Sequence, residues 1–399
     1  MENSDKNIKL ILNKLVLAPM VRINTLPFRE LVYNYGCDIT FTEEIIAKKL
    51  LQSHKVYNKE TNTNDYIISK ENTLVLRTAP SERNHLILQL GASDPSDAIK
   101  AAKIVENDII GIDLNMGCPK HFSTHGNMGS ALLTKPSLAK AILDALIETF
   151  PNKLISCKIR LLNEQDEFDN LIQMINETKI DYFTIHLRYK GQDSRHPASW
   201  DKIDFIKEKV NKPFLINGDI FCPRDIQYLM KEKACNGFMI GRGCIHNPKI
   251  FEEFKNESED LNLVEFNLCE DNKQSLIISD KQIESKNHKD NDNNNNKDNC
   301  NVQISVKLSS ALEKKYNKKA VDILPIIREF MKLCFKYDNV FGNTKYIVLY
   351  ILKTHKKMIP LFQQIQKVKT YEELSSILGI KEEYEKSIIH TKQLTQINE

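Results

Sequence analysis

The chain lacks any Cys-x-x-Cys pair, and its nine cysteines follow no regular spacing. That argues against a zinc site or a disulfide framework and for a reducing compartment. No apolar run approaches the ~20 residues of a membrane-spanning helix. Residues 1–9 are polar and charged, so no secretory leader is expected. A strong charge of either sign is also missing: the net charge is +3, too small by itself to indicate a polyanionic partner. With 41% hydrophobic and 27% charged residues, the composition is that of an ordinary soluble protein. The expectation is a soluble intracellular monomer without metal or membrane, placed in the cytoplasm with the nucleus as the alternative.

Charge is uneven along the chain. Residues 311–399 carry 16 Lys and Arg against 10 Asp and Glu, which leaves the preceding residues net acidic. The basic clusters are Lys314-Lys315-Tyr316-Asn317-Lys318-Lys319 and Lys353-Thr354-His355-Lys356-Lys357. Charge alone favours a solvated helix face; the sharper reading is an RNA-backbone footprint.

Eight short apolar runs, at 16–20, 39–43, 86–90, 110–114, 154–158, 182–186, 213–217 and 237–241, recur along the first part of the chain. The segments 26–35, 95–107, 137–149, 168–179, 200–210 and 223–233 carry apolar residues at three- and four-residue spacing, several behind a capping residue or proline such as Asp94-Pro95. Near-continuous apolar strands suit a parallel sheet covered on both faces. Eight of them in ~250 residues predict a (β/α)8 TIM barrel. The span 47–83 is too long for a plain connection and holds a strand-like piece at 73–78, read as an added hairpin on the barrel rim. The segment 286–301 is nearly all Asn, Asp and Lys and lacks the apolar content to offset its ordering entropy. The expected organisation is an N-terminal extension (1–14), the barrel (15–255), a low-complexity insertion (256–310), a small all-α helical domain (311–381) and a tail (382–399).

Met20, Glu43, Gln89, Asn115, Lys158, His186, Asn217 and Gly241 close the eight runs. In a barrel these ends share one face, where active sites are built. A purely structural reading leaves their polarity unexplained. Cys118 lies between Gly117 and Pro119 at one such end, where no regular helix can form and the thiol is presented at a pocket mouth. Lys120, His121 and His125 are expected to shift its acidity. No His–Asp pattern supports a cysteine hydrolase, so proton donation is favoured over nucleophilic attack. Asn217-Gly218-Asp219 and Gly241-Arg242-Gly243 close the last two runs. They read as a phosphate grip, or else as two ordinary tight turns. Lys158 at a strand end implies a ligand, since a buried lysine needs a partner. His186 reads equally as a structural or a functional residue. Gln89 offers an amide that both donates and accepts. No acidic/His pair recurs at zinc-ligand spacing.

Taken together, Leu17-Ala18-Pro19-Met20-Val21, Asn115-Met116-Gly117-Cys118-Pro119, Cys157-Lys158-Ile159-Arg160, His186-Leu187-Arg188, Asn217-Gly218-Asp219 and Gly241-Arg242-Gly243 resemble the tRNA-dihydrouridine synthases. The likeness runs in order from about residue 15 to 251. Lys120, the run Gly129-Ser130-Ala131-Leu132-Leu133, and Tyr337-Asp338-Asn339 with Asn343-Thr344-Lys345-Tyr346 are similar to the eukaryotic class acting on uridine 20. The resemblance implies FMN in the barrel mouth, NADPH or NADH as reductant, and the D-loop and elbow of tRNA as substrate and partner. It implies Pro19, Met20 and Val21 against the flavin ring, Gln89 and Lys158 at its pyrimidine side, and His186, Asn217, Gly218, Asp219, Gly241 and Arg242 at its phosphate end. It implies Cys118 as the acid for uracil C5 and Asn115, Lys120 and Arg188 as substrate contacts, with the loop 120–127 closing over the base. Two departures stand out. Leu187 replaces the family's usual glycine, and no C-terminal double-stranded-RNA-binding domain is expected. The rival readings are an FMN-dependent small-molecule ene-reductase or dehydrogenase on the same barrel and a catalytically silent RNA-binding protein.

Overall fold

The computed structural model of the protein describes residues 11, 13–124, 126–235, 237–260 and 321–388. The low-complexity insertion from 261 onward, the first ten residues of the expected helical domain, the tail beyond 388 and His125 lie outside them.

The strands are β1 (Leu15–Leu17), β2 (Thr40–Ile46), β3 (His54–Asn58), β4 (Thr63–Ile68), β5 (Thr73–Thr78), β6 (Leu86–Gly91), β7 (Gly111–Asn115), β8 (Leu154–Leu161), β9 (Tyr182–Tyr189), β10 (Phe214–Asn217) and β11 (Phe238–Ile240). Eight form a parallel sheet in the order β1-β11-β10-β9-β8-β7-β6-β2. The two ends meet through a parallel bridge between Val16 and Ile39, reinforced by Leu17 N–H donating to Ile39 O at 2.9 Å. The sheet is therefore a closed barrel, and its strands fall on the eight apolar runs. Helices connect them as the periodicity requires; Pro95–Val105, for example, is capped by Asp94 Oδ1, which accepts from Asp97 N–H at 2.9 Å. The rim insertion is larger than a hairpin: β3, β4 and β5 make a three-stranded antiparallel sheet. No helix among the described residues is long and apolar enough to cross a membrane.

The barrel has two cores. The larger lies between strands and surrounding helices and runs without a break into the C-terminal helices. The smaller fills the barrel itself: Val16, Ala18, Ile39, Phe41, Ile87, Leu154, Tyr182, Leu215 and Met239, with Ile11 below. Strand side chains alternate faces with period two. Stepping two residues onward from this plug along β6, β8, β9 and β10 gives Gln89, Ser156, Thr184 and Asn217, and two more along β8 and β9 give Lys158 and His186. The same inward face thus changes from apolar to polar toward the C-terminal mouth, as a plug beneath a site requires.

Helices Ile323–Lys336, Phe341–Leu352, Ile359–Lys367 and Tyr371–Leu378 form the C-terminal domain. Its packing on the barrel is specific. Phe28 and Phe330 meet edge to face at 6.3 Å, Tyr337 Oη donates to Glu30 and Arg77 to the Tyr337 carbonyl, and Asn343 Nδ2 donates to Arg22 O at 2.8 Å. The Arg22 guanidinium lies 4.2 Å from the Tyr346 ring centre. Just past the same helix, His355 stacks on His246 with 4.6 Å between ring centres, and its Nε2 lies 2.9 Å from His246 O. Helix Phe341–Leu352 therefore runs along the barrel mouth from the loop after β1 to the loop after β11.

Candidate active site

Three features converge at the mouth: a polar ladder, a thiol loop and a cationic pocket. The ladder comes from register. Gln89 pairs with Asp113 across β6 and β7, and Asp113 with Ser156 across β7 and β8. Gln89 Nε2 donates to Asp113 Oδ2 at 2.9 Å and Ser156 Oγ to Oδ1 at 2.7 Å. Asp113 is fully buried, and burial pushes its carboxyl up to about 6, with the bonds from Gln89 and Ser156 and the charge of Lys158 opposing.

Above the ladder stands the thiol loop. Asn115 Oδ1 accepts from Gly117 N–H at 3.0 Å and Cys118 N–H at 3.2 Å, a side-chain turn that ends the strand. Arg160 Nε donates to Gly117 O at 2.8 Å, and Ser130 N–H donates to Cys118 O at 2.9 Å. Gly129, at φ +56°, is tight against Cys118: a Cβ there would lie 3.2 Å from Cys118 Cβ. Cys118 is half-buried. Its thiol is pushed up to about 11, first by burial and then by the Glu44 carboxylate, with the Lys120 backbone and Lys158 opposing.

The cationic pocket surrounds His186. Burial and the charges of Lys158, Arg160, Arg188 and Arg242 hold its imidazole well below the ordinary range, so it is neutral. Arg188 Nη1, which can only donate, lies 3.4 Å from His186 Nε2. The ring proton therefore sits on Nδ1, which is buried with no partner among the described residues. Asp219, at φ +56°, bridges Arg188 and Arg242 at 2.5 Å each. Lys158 is held down to about 8 by burial and by Arg160, and its Nζ has no hydrogen-bond partner among the described residues. Gly218, at φ +125°, leaves room that Ala198 bounds: a Cβ there would lie 3.0 Å from Ala198 Cβ. An orphaned ring N–H, an unpartnered ammonium and two arginines sharing one carboxylate form a donor set with excess positive charge. This fits a phosphorylated ligand.

Several expectations need correction. Lys120 is exposed and bears on the thiol only through its backbone N–H, so burial and Glu44 set the acidity of Cys118. His125 lies outside the described residues, as does the side chain of His121. Arg188 is 3% exposed and donates to His196 O as well as Asp219. Those bonds make it part of the pocket's frame. The carboxylate of Asp219 positions arginines instead of meeting an anion itself. Asn115 spends its carbonyl oxygen on the turn, and Asn217 Nδ2 donates to Met239 O at 2.7 Å. Pro19 and Met20 are half-buried and Val21 is 43% exposed at the end of β1, beside the mouth as expected.

Glu44 was missed. The β2–β6 register slips between Phe41 and Glu44, so Phe41 pairs with Ile87 and Glu44 with Gln89. This bulge carries Glu44 onto the inward face. Thr42 Oγ1 takes the Gln89 N–H that the slip would strand, at 3.0 Å. Strict alternation from Ile39 and Phe41 selects Glu43, and only the bulge brings in its neighbour.

The dihydrouridine synthase (Dus) family model matches residues 16–297. The chain is 31% identical over 378 residues to a tRNA-dihydrouridine(20) synthase [NAD(P)+] of Schizosaccharomyces pombe, covering 92% of this chain and 65% of that one. A tRNA-dihydrouridine(20) synthase [NAD(P)+] of Saccharomyces cerevisiae is 38% identical, over 62% of this chain and 68% of its own length. A tRNA-dihydrouridine(20a/20b) synthase [NAD(P)+] of Schizosaccharomyces pombe is 33% identical, over 60% and 69% respectively. The chain thus spans just under two thirds of the first relative's length.

Proposed function

The chain belongs to the dihydrouridine synthase family, and on that premise we propose that it reduces a uridine of the tRNA D-loop, at position 20, to 5,6-dihydrouridine. NADPH or NADH is the reductant and FMN the group held in the barrel mouth. The observation that carries this reading is one thiol and one excess-cation pocket opening at the same end of the same barrel.

His186, Arg242 and the backbone at Gly218 and Gly241 would hold the FMN phosphate. Lys158 and the Gln89 carbonyl would meet the pyrimidine edge, and Pro19, Met20 and Val21 would lie along the ring. FMN bound there would supply hydride for uracil C6. The protein's own part is the proton. Cys118 Sγ keeps it in a loop fixed by Asn115, Arg160 and Gly129, ready for C5 of the ring. Lys158, which burial holds down to about 8, would place a positive charge beside the pyrimidine carbonyls. The target base leaves its stack to enter. Helix Phe341–Leu352, which carries Tyr346 onto Arg22 beside the mouth, would form one wall of the entrance.

The test is anaerobic reoxidation of NADPH-reduced, FMN-loaded protein. Unmodified tRNA should accelerate it and free uridine should not. Equal reoxidation by free uridine or a small enone would favour the small-molecule reductase.

A further inference from the structure

After burial, the largest influence on the Cys118 thiol comes from Glu44 on β2. Glu44 is 8% exposed, and the bulge in β2 places it opposite Gln89 on the inward face. Ser123, fully buried, donates from Oγ to Glu44 Oε1 at 2.7 Å. The other oxygen, Oε2, is buried with no hydrogen-bond partner among the described residues. A buried carboxylate oxygen without a donor is costly unless something in the site answers it. The group its charge reaches is the Cys118 thiol, whose protonated form that charge favours. The backbone brings the three together: a Cβ at Gly129 would collide with Ser123 Oγ and lie 3.2 Å from Cys118 Cβ. Among the described residues, Lys158 and Arg160 from β8, both of opposite sign to Glu44, also act on Cys118.

We propose that Glu44, held by Ser123, is the positioning residue that reinforces burial in keeping Cys118 a thiol, and so favours its acting as an acid over its acting as a nucleophile. The inference rests on the proton-donor reading of Cys118 given above. The chemistry makes the distinction matter. A uracil ring is electrophilic at C6, and a thiolate beside it adds there; a thiol beside it can only give up its proton. Reactive cysteines lie in electropositive surroundings that favour the thiolate. Lys158 and Arg160 create such surroundings here, and Glu44 counters them from the opposite side of the sulfur's loop. Ser123 fixes one oxygen of the carboxylate, so the other cannot turn away.

The experiment is the pH dependence of iodoacetamide alkylation at Cys118, read on the Cys118 peptide by mass spectrometry because the chain has nine cysteines. Wild type, Glu44→Gln and Ser123→Ala are compared as full-length proteins, with circular dichroism as the check on folding. Glu44→Gln keeps the size and the bond from Ser123 but removes the charge. Its alkylation profile should move to lower pH. At neutral pH the rate should rise about threefold for each pH unit of movement, since a tenfold gain in thiolate is partly offset by weaker intrinsic nucleophilicity. Ser123→Ala should move the profile the same way by less. An unchanged profile in folded Glu44→Gln overturns the proposal. If that variant does not fold, Ser123→Ala decides, and no movement there overturns it as well. Alkylation involves neither flavin turnover nor tRNA. A failed tRNA reaction therefore counts against the proposed function, and an unmoved profile in an active enzyme counts only against Glu44.

Discussion

Gln89 Nε2 donates to Asp113 Oδ2 at 2.9 Å, a bond that commits the amide nitrogen and leaves the carbonyl oxygen of Gln89 as its unspent polar atom. A buried carboxylate on the strand that leads into the thiol loop thereby determines which end of an amide a ligand meets. Asp113→Asn offers a nitrogen in place of one oxygen, and Gln89 can then reverse its amide. FMN affinity should fall about tenfold, the cost of roughly one misplaced hydrogen bond, measured by fluorescence titration of the apoprotein.

The same carboxyl makes a pH prediction. Its folded value is raised to about 6, so between about pH 4 and pH 6 the native state holds a proton that the unfolded chain has lost. The stability contributed by this proton is therefore present at low pH and is lost as pH rises toward 6. Asp113→Asn should remove that loss, on the order of 2–3 kcal/mol. Urea unfolding of wild type and variant at pH 4 and pH 7 checks it: the variant should gain relative to wild type at pH 7.

Cys118→Ala should retain FMN and NADPH oxidation while dihydrouridine formation falls at least about 100-fold, the scale of a lost general acid. The Asn115, Arg160 and Ser130 contacts to this loop are all with backbone groups of Gly117 and Cys118, so the loop should survive the substitution. Normal product formation by this variant would contradict the assignment.

Arg188 and Arg242 share Asp219 but differ in exposure, with side chains 4% and 29% accessible. Arg242→Ala should weaken FMN binding about tenfold or more and leave the melting temperature near wild type. Arg188→Ala should instead lower stability by about 3 kcal/mol, because it opens a void in an enclosed frame and removes a buried half of an ion pair. Flavin retention on desalting and thermal melts separate the two.

Docking of the helical domain has its own test. Tyr337 is 3% exposed, packs in a cluster with Leu26 and Ala79, and bonds to Glu30. Tyr337→Ala should cost about 3 kcal/mol and Tyr337→Phe about 1 kcal/mol, read from urea midpoints.

The barrel was legible in the sequence because parallel strands buried on both faces are short apolar runs, and all eight runs became strands. Gln89, Lys158, His186 and Asn217 were legible for the same reason: each continues an alternation begun in the apolar plug. Glu44 was hidden because a bulge breaks that alternation, and a bulge depends on pairing with β6, which no local pattern in β2 reports. The bond of Arg188 to Asp219 was not legible, because its motif gives its place in the chain but not its partner on the next strand's loop. The acidity of Cys118 was attributed to neighbours in sequence, whereas the groups that set it come from β2 and β8.

The most direct test of the account is to incubate FMN-loaded protein with NADPH and unmodified tRNA and to map dihydrouridine by position. The account predicts product at uridine 20 of the D-loop and none with free uridine. Absence of product on any tRNA, from protein whose bound FMN is reduced by NADPH, would contradict it.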